Sequence, residues 1–188
     1  MKKLLSIAAV LMVLFVGCSK DVNINSPIEK QATEEFVTRT VPEGLGVNAT
    51  YTVSKVIDGS KGGSLFYGDF TQTQSGNTAH VYASCYFPAG SFSGVKTITM
   101  TLDTKTCTGT FSPGMVFSKP VSFSALFTGV DLKQFDPTSY SFVYYAPNGV
   151  KTVVTSSFLY MDKERGVLGI LNAQLPHFSR YGFIRKAA

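Results

Sequence analysis

The chain has 188 residues, a formal net charge of +5, 15% charged residues and no tryptophan. Its 17 basic and 12 acidic residues are interspersed without a run of either sign, which reads as a solvated surface and argues against a nucleic-acid partner. Fifteen phenylalanines and nine tyrosines set against so few charges supply apolar material for a sizeable core at this length.

The chain opens "MKKLLSIAAVLMVLFVGCSK". Two lysines precede an apolar run from Leu4 to Val16 that only Ser6 interrupts, and Gly17 and Cys18 follow. Such a run falls short of the roughly 20 residues of a membrane span and ends at a small residue, so residues 1–17 are expected to be a removable export signal. Phe15-Val16-Gly17-Cys18 resembles the lipobox of bacterial lipoproteins, with Phe15 standing where leucine is usual. The resemblance implies that Cys18 is acylated, becomes the new N-terminus and ties the chain to a bacterial envelope membrane, the outer one by preference. Each buried methylene of such a lipid contributes about 0.8 kcal/mol, so more than one tail gives a stable anchor. Loss of Lys2 and Lys3 lowers the net charge to +3.

Residues 18–46 are polar and punctuated by Pro27, Pro42, Gly44 and Gly46. They lack a sustained apolar period and are expected to form a flexible tether.

From residue 47 to 188 short β-branched and aromatic runs alternate with Gly, Pro, Asn and Asp. "HVYASCYFP" places Val81, Ala83, Cys85 and Phe87 on one face, and "TITMTL" sets Ile98, Met100 and Leu102 against three threonines. "PVSFSALF" repeats the alternation with Val121, Phe123, Ala125 and Phe127. This period of two predicts half-buried strands. Asn148-Gly149 predicts a tight hairpin whose turn residues take positive φ, pairing Tyr140–Ala146 with Val150–Met161, the second run bending near Ser156-Ser157. The expected class is all-β: a two-sheet antiparallel β-sandwich.

Cys85 and Cys107 both fall in predicted strands. They are a possible disulfide in an oxidising compartment, or two small core hydrophobes. Without CxxC spacing no metal site is expected. The tyrosines Tyr140, Tyr144, Tyr145 and Tyr160 around the hairpin are candidates for binding a saccharide or a peptide, because a phenol ring stacks while its hydroxyl stays wet. Some of them must also be core.

Four segments, "KGGSL" (Lys61–Leu65), "FPAGSFSGVKTITM" (Phe87–Met100), "FSPGMVFSKPVSF" (Phe111–Phe123) and "HFSRYG" (His177–Gly182), resemble the ZU-type β-sandwich of ankyrins, netrin receptors and death-domain adaptors. The resemblance covers about Lys55 to Ile184. It implies a cofactor-free sandwich that serves as a binding or structural platform, here with an envelope protein or glycan as partner. In some members the chain cuts itself between Phe and Ser of a His-Phe-Ser sequence, and the matching residues are His177, Phe178 and Ser179. On one strand His177 and Ser179 would share a face, with Ser179 as nucleophile and His177 as base. The same residues equally suit a terminal strand with Phe178 and Ile184 inward and His177, Ser179 and Tyr181 outward. Nothing like a nucleophile elbow occurs, so the expected role is non-catalytic.

Overall fold

The computed structural model describes residues 34–36, 50–72, 78–130, 132 and 138–186. The signal segment, Cys18 and most of the tether lie outside the described residues.

The described residues form twelve strands and no helix: β1 (Glu34–Phe36), β2 (Thr50–Asp58), β3 (Gly63–Gln72), β4 (Thr78–Phe87), β5 (Val95–Asp103), β6 (Thr108–Ser112), β7 (Val116–Phe127), β8 (Tyr140–Tyr145), β9 (Lys151–Val153), β10 (Phe158–Asp162), β11 (Val167–His177) and β12 (Arg180–Lys186). One sheet runs β2-β5-β6-β12-β8-β9, the other β10-β11-β7-β4-β3. Every pairing is antiparallel. β1 also joins the first sheet, pairing Glu34–Phe36 with Ile184–Lys186 beyond the end of β6. Three residues expected in the tether thus form part of a sheet.

The alternation that predicted the strands is the alternation that builds the core. Val81, Ala83, Cys85 and Phe87 are buried from β4, Ile98, Met100 and Leu102 from β5, and Val121, Phe123, Ala125 and Phe127 from β7. Two hairpins, β5–β6 and β10–β11, and the β2–β3 crossing between sheets close by one device, an aspartate whose carboxylate accepts backbone N–H groups two or three residues ahead. Asp58 accepts from Ser60, Asp103 from Lys105 and Thr106, and Asp162 from Arg165. The hydroxyl and amide of Ser60 hold the Asp58 carboxyl below its usual range.

Aromatic rings run through the interface as a continuous seam. Phe178 stacks on Phe111 at 5.1 Å and meets Phe117 and Phe87 edge-on at 4.8 and 5.8 Å. Phe111 continues to Phe123, Phe123 to Phe142, and Phe142 to Phe183. Offset and edge-to-face geometries put the positive rim of one ring on the negative face of another, which adds to the area each ring buries.

Several expectations are corrected here. The Asn148-Gly149 hairpin forms, but only Gly149 has positive φ, at 83°. Gly149 N–H bonds to Ala146 O and Ala146 N–H to Val150 O, so Pro147, Asn148 and Gly149 make a three-residue loop with the left-handed residue last. The run from Val150 to Met161 does not pair as one strand. Its first part, β9, stays with β8, and its second, β10, pairs β11 in the opposite sheet. The break spans residues 154–157, where the bend was expected. Pro120 lies inside β7. The register of β7 against β11 shifts between Val121–Leu175 and Val116–His177, an interval that contains both Pro120 and Pro176. A residue without an N–H is tolerated at such an irregularity. Tyr181, expected to face solvent, is fully buried.

Phe178 touches more rings of the seam than its neighbours do, so Phe178→Ala is expected to lower unfolding free energy by about 3–5 kcal/mol, measured by denaturant titration. A loss below 1 kcal/mol would show that the seam does not hold the sheets.

Candidate functional site

The His-Phe-Ser segment is not one strand. His177 ends β11 in the five-stranded sheet, Phe178 and Ser179 form a corner, and Arg180 begins β12 in the other sheet. The corner is pinned from both sides, because Phe178 N–H donates to Met115 O at 2.8 Å and Ser179 O accepts from Phe111 N–H at 3.0 Å.

The His177 ring packs edge-on against Tyr144 at 4.4 Å. The Tyr181 hydroxyl donates to His177 O at 2.6 Å and lies 3.3 Å from His177 Nδ1. A phenol has one proton, and here the backbone carbonyl receives it. Contact with Nδ1 is therefore favourable when Nδ1 carries a hydrogen and the phenol oxygen accepts, which leaves Nε2 as the acceptor nitrogen. Burial, with Tyr144 adding to it, pushes the ionisation of Tyr181 well above the usual phenol range, so its hydroxyl stays a neutral donor. Tyr144, Thr152, Thr155, Gln174, Pro176 and His177 are among the residues lining a cleft of about 200 Å³ at this corner.

Among the described residues no hydrogen bond joins Ser179 to His177, whose imidazole is held by Tyr181 instead. The shared-face arrangement expected of a strand is absent because the chain turns at Ser179. As it stands, the corner presents a half-buried imidazole to a cleft of mixed polar and apolar lining.

The four candidate tyrosines do not form one platform. Tyr140 and Tyr144 are partly buried and pack against the core, and burial raises the ionisation of Tyr140. Tyr145 sits on the opposite face of β8, with the Arg180 guanidinium 5.5 Å from its ring centre. Tyr160 belongs to β10 in the other sheet.

Of the two readings of Cys85 and Cys107, a disulfide or small core hydrophobes, the structure has the second. Both are buried free thiols. Cys85 points into the core from β4, and its deprotonation is strongly disfavoured by burial. Cys107 lies in the β5–β6 turn, not in a strand, with a left-handed backbone (φ 50°) and its thiol 3.9 Å from Thr104 O.

A different surface, of which only Tyr160 was singled out from the sequence as a binding candidate, forms a second concave feature. It lies on the outer face of the five-stranded sheet, about 390 Å³ in volume, within the range of small-ligand sites. Outward residues of all five strands line it. Tyr160 pairs across to Gly169, Gly169 to Leu126, Leu126 to Tyr82, and Tyr82 to Gly68. The next row holds Phe158, Leu171, Ser124, Ser84 and Phe66. Small residues make the floor. A side chain at Gly169 would place its Cβ 2.9 Å from Leu126 Cδ1. Aromatic rings make the rims, with Phe66 63% and Phe158 54% exposed. The signal was present in "SSFLYM" and "SLFYGDF", where apolar residues fall on both strand phases. A strand buried on one side has no use for the second set.

No family model, curated protein or solved structure matches the chain.

Two outcomes are expected from this geometry. In the folded protein Cys85 and Cys107 resist a thiol reagent, and both react on denaturation without a reductant. A need for reductant would mean that they are bonded after all. Intact mass after prolonged incubation is expected to be the same for wild type and Ser179→Ala. A ten-residue fragment beginning at Ser179, present only in wild type, would show that the corner rearranges into a cleaving site.

Proposed function

We propose that this is a lipid-anchored protein of a bacterial envelope membrane, the outer one by preference, whose β-sandwich is a non-catalytic binding and structural module. It would be held by acylated Cys18 and a tether. The observation that carries the reading is the aromatic-rimmed groove on the outer face of the five-stranded sheet. Soluble proteins rarely leave large apolar residues side by side on a face unless something covers them, and here five strands contribute to one concave feature.

The His177 corner is compatible with this reading, since the Tyr181 hydroxyl engages His177 and, among the described residues, no hydrogen bond joins Ser179 to the imidazole. The sandwich that the resemblance to the ZU-type family implies is compatible with a platform of this kind. So is the division of labour in the sequence, where attachment is left to Cys18 and the folded part keeps its groove for another partner.

Cells fed labelled palmitate are expected to label the wild-type protein and to leave Cys18→Ser bare. Equal labelling of both, or of neither, would remove the anchor from the reading.

A further inference from the structure

We propose that the groove on the outer face of the five-stranded sheet takes the acyl chain of a single-chain lipid. The inference deepens the reading of that face as the binding surface and rests on it. The lining is what selects the ligand. Phe66, Tyr82, Leu126, Phe158 and Leu171 contribute carbon surface, Gly169 presents no side chain, and none of the described lining residues is charged. The polar side-chain groups within it are the Tyr82 and Tyr160 phenols and the hydroxyls of Ser84 and Ser124. The Ser124 hydroxyl already accepts the Asn172 N–H at 3.1 Å, and the Tyr160 hydroxyl reaches away to Asp162.

A saccharide would bring many hydroxyls into this lining and leave most of them without partners. An extended peptide would bring an N–H and a carbonyl at every residue onto the face of a sheet, whose own backbone groups are spent on its neighbours. Groups desolvated without a partner oppose binding, whereas methylenes lose nothing by leaving water. A second copy of the chain is also a poor occupant, because two concave faces set together enclose a void instead of filling one.

The dimensions agree with a chain-like ligand. From the β3 edge to the β10 edge the groove crosses four strand spacings, or about 19 Å at ~4.8 Å each. That is close to the extended length of a palmitoyl chain. The exposed rings of Phe66 and Phe158 lie at the two ends, the Phe66 ring over the backbone of Gly68. A carboxylate or other polar head would project past a rim into solvent, since none of the described lining residues is charged.

The experiment uses the full chain carrying Cys18→Ser, so that no covalent lipid competes, titrated with the fluorescent fatty acid cis-parinaric acid. Saturable binding of one molecule per chain, displaced by palmitate, is expected. Ser84→Leu fills the floor without touching the core and is expected to weaken binding by about tenfold or more, and Phe158→Ser removes a rim with a similar effect. Circular dichroism confirms that both variants stay folded. Parallel arms present phosphatidylglycerol vesicles, a glycan panel and an extended peptide library. Binding to vesicles alone, with no saturable site for the free fatty acid, overturns the proposal in favour of contact with a bilayer surface. Glycan or peptide binding that Ser84→Leu abolishes overturns the acyl chain but keeps the groove as the binding surface. If no arm responds to Ser84→Leu or Phe158→Ser, both the ligand and the surface are wrong.

Discussion

The two sheets are held together by ring-on-ring contact across their interface. With Cys85 and Cys107 unbonded, no disulfide among the described residues ties one layer to the other, and adhesion falls to buried apolar surface. Phe178, Phe111, Phe117, Phe87, Phe123, Phe142 and Phe183 form a connected path through that surface. Large planar side chains suit the task, since each buries a wide area at a small entropic cost and fixes its neighbour's orientation through the ring quadrupole. A low charge content is the compositional counterpart of this design.

That seam explains why the His-Phe-Ser segment is where it is. The corner at Phe178-Ser179 hands the chain from β11 in one sheet to β12 in the other, and the ring at the corner plugs directly into the interface. β12 is then the hub of its sheet, bonded to β6, β8 and β1. His177 and Tyr181 clamp the same corner through the 2.6 Å bond from phenol to carbonyl. The motif thus has a mechanical role: Phe178 fills the interface, the chain turns at Ser179, and the His177 carbonyl is held by Tyr181.

The outer face of the five-stranded sheet departs from the rule that built the rest. On β2 and β5 the outward positions are mainly hydroxyl-bearing, Thr52 meeting Thr101 and Ser54 meeting Thr99, with the single valines Val56 and Val95 also exposed. Around the groove they are filled by Phe66, Tyr82, Leu126, Phe158 and Leu171. Asn172, left-handed at φ 52°, marks a break in the β7–β11 register beside this face, and the hydroxyls of Ser122 and Ser124 meet it there. An irregular, sculpted patch on an otherwise regular sheet is where a binding role is physically economical, because the layers beneath remain intact.

Strand content and the inward faces of β4, β5 and β7 were legible in the chain itself, since a period of two is a local property and burial simply selects one phase. The hairpin at Asn148-Gly149 was legible for the same reason. Which strands pair was not. The run from Val150 to Met161 reads as one element, yet it divides between two sheets, because the partner of each half lies far away in sequence. The free state of Cys85 and Cys107, the turn that parts Ser179 from His177, and the gathering of Phe66 with Phe158 in one groove are decided by contacts between residues many positions apart. Local pattern specifies which side of a strand is wet, whereas only the packing of distant strands specifies what that side will meet.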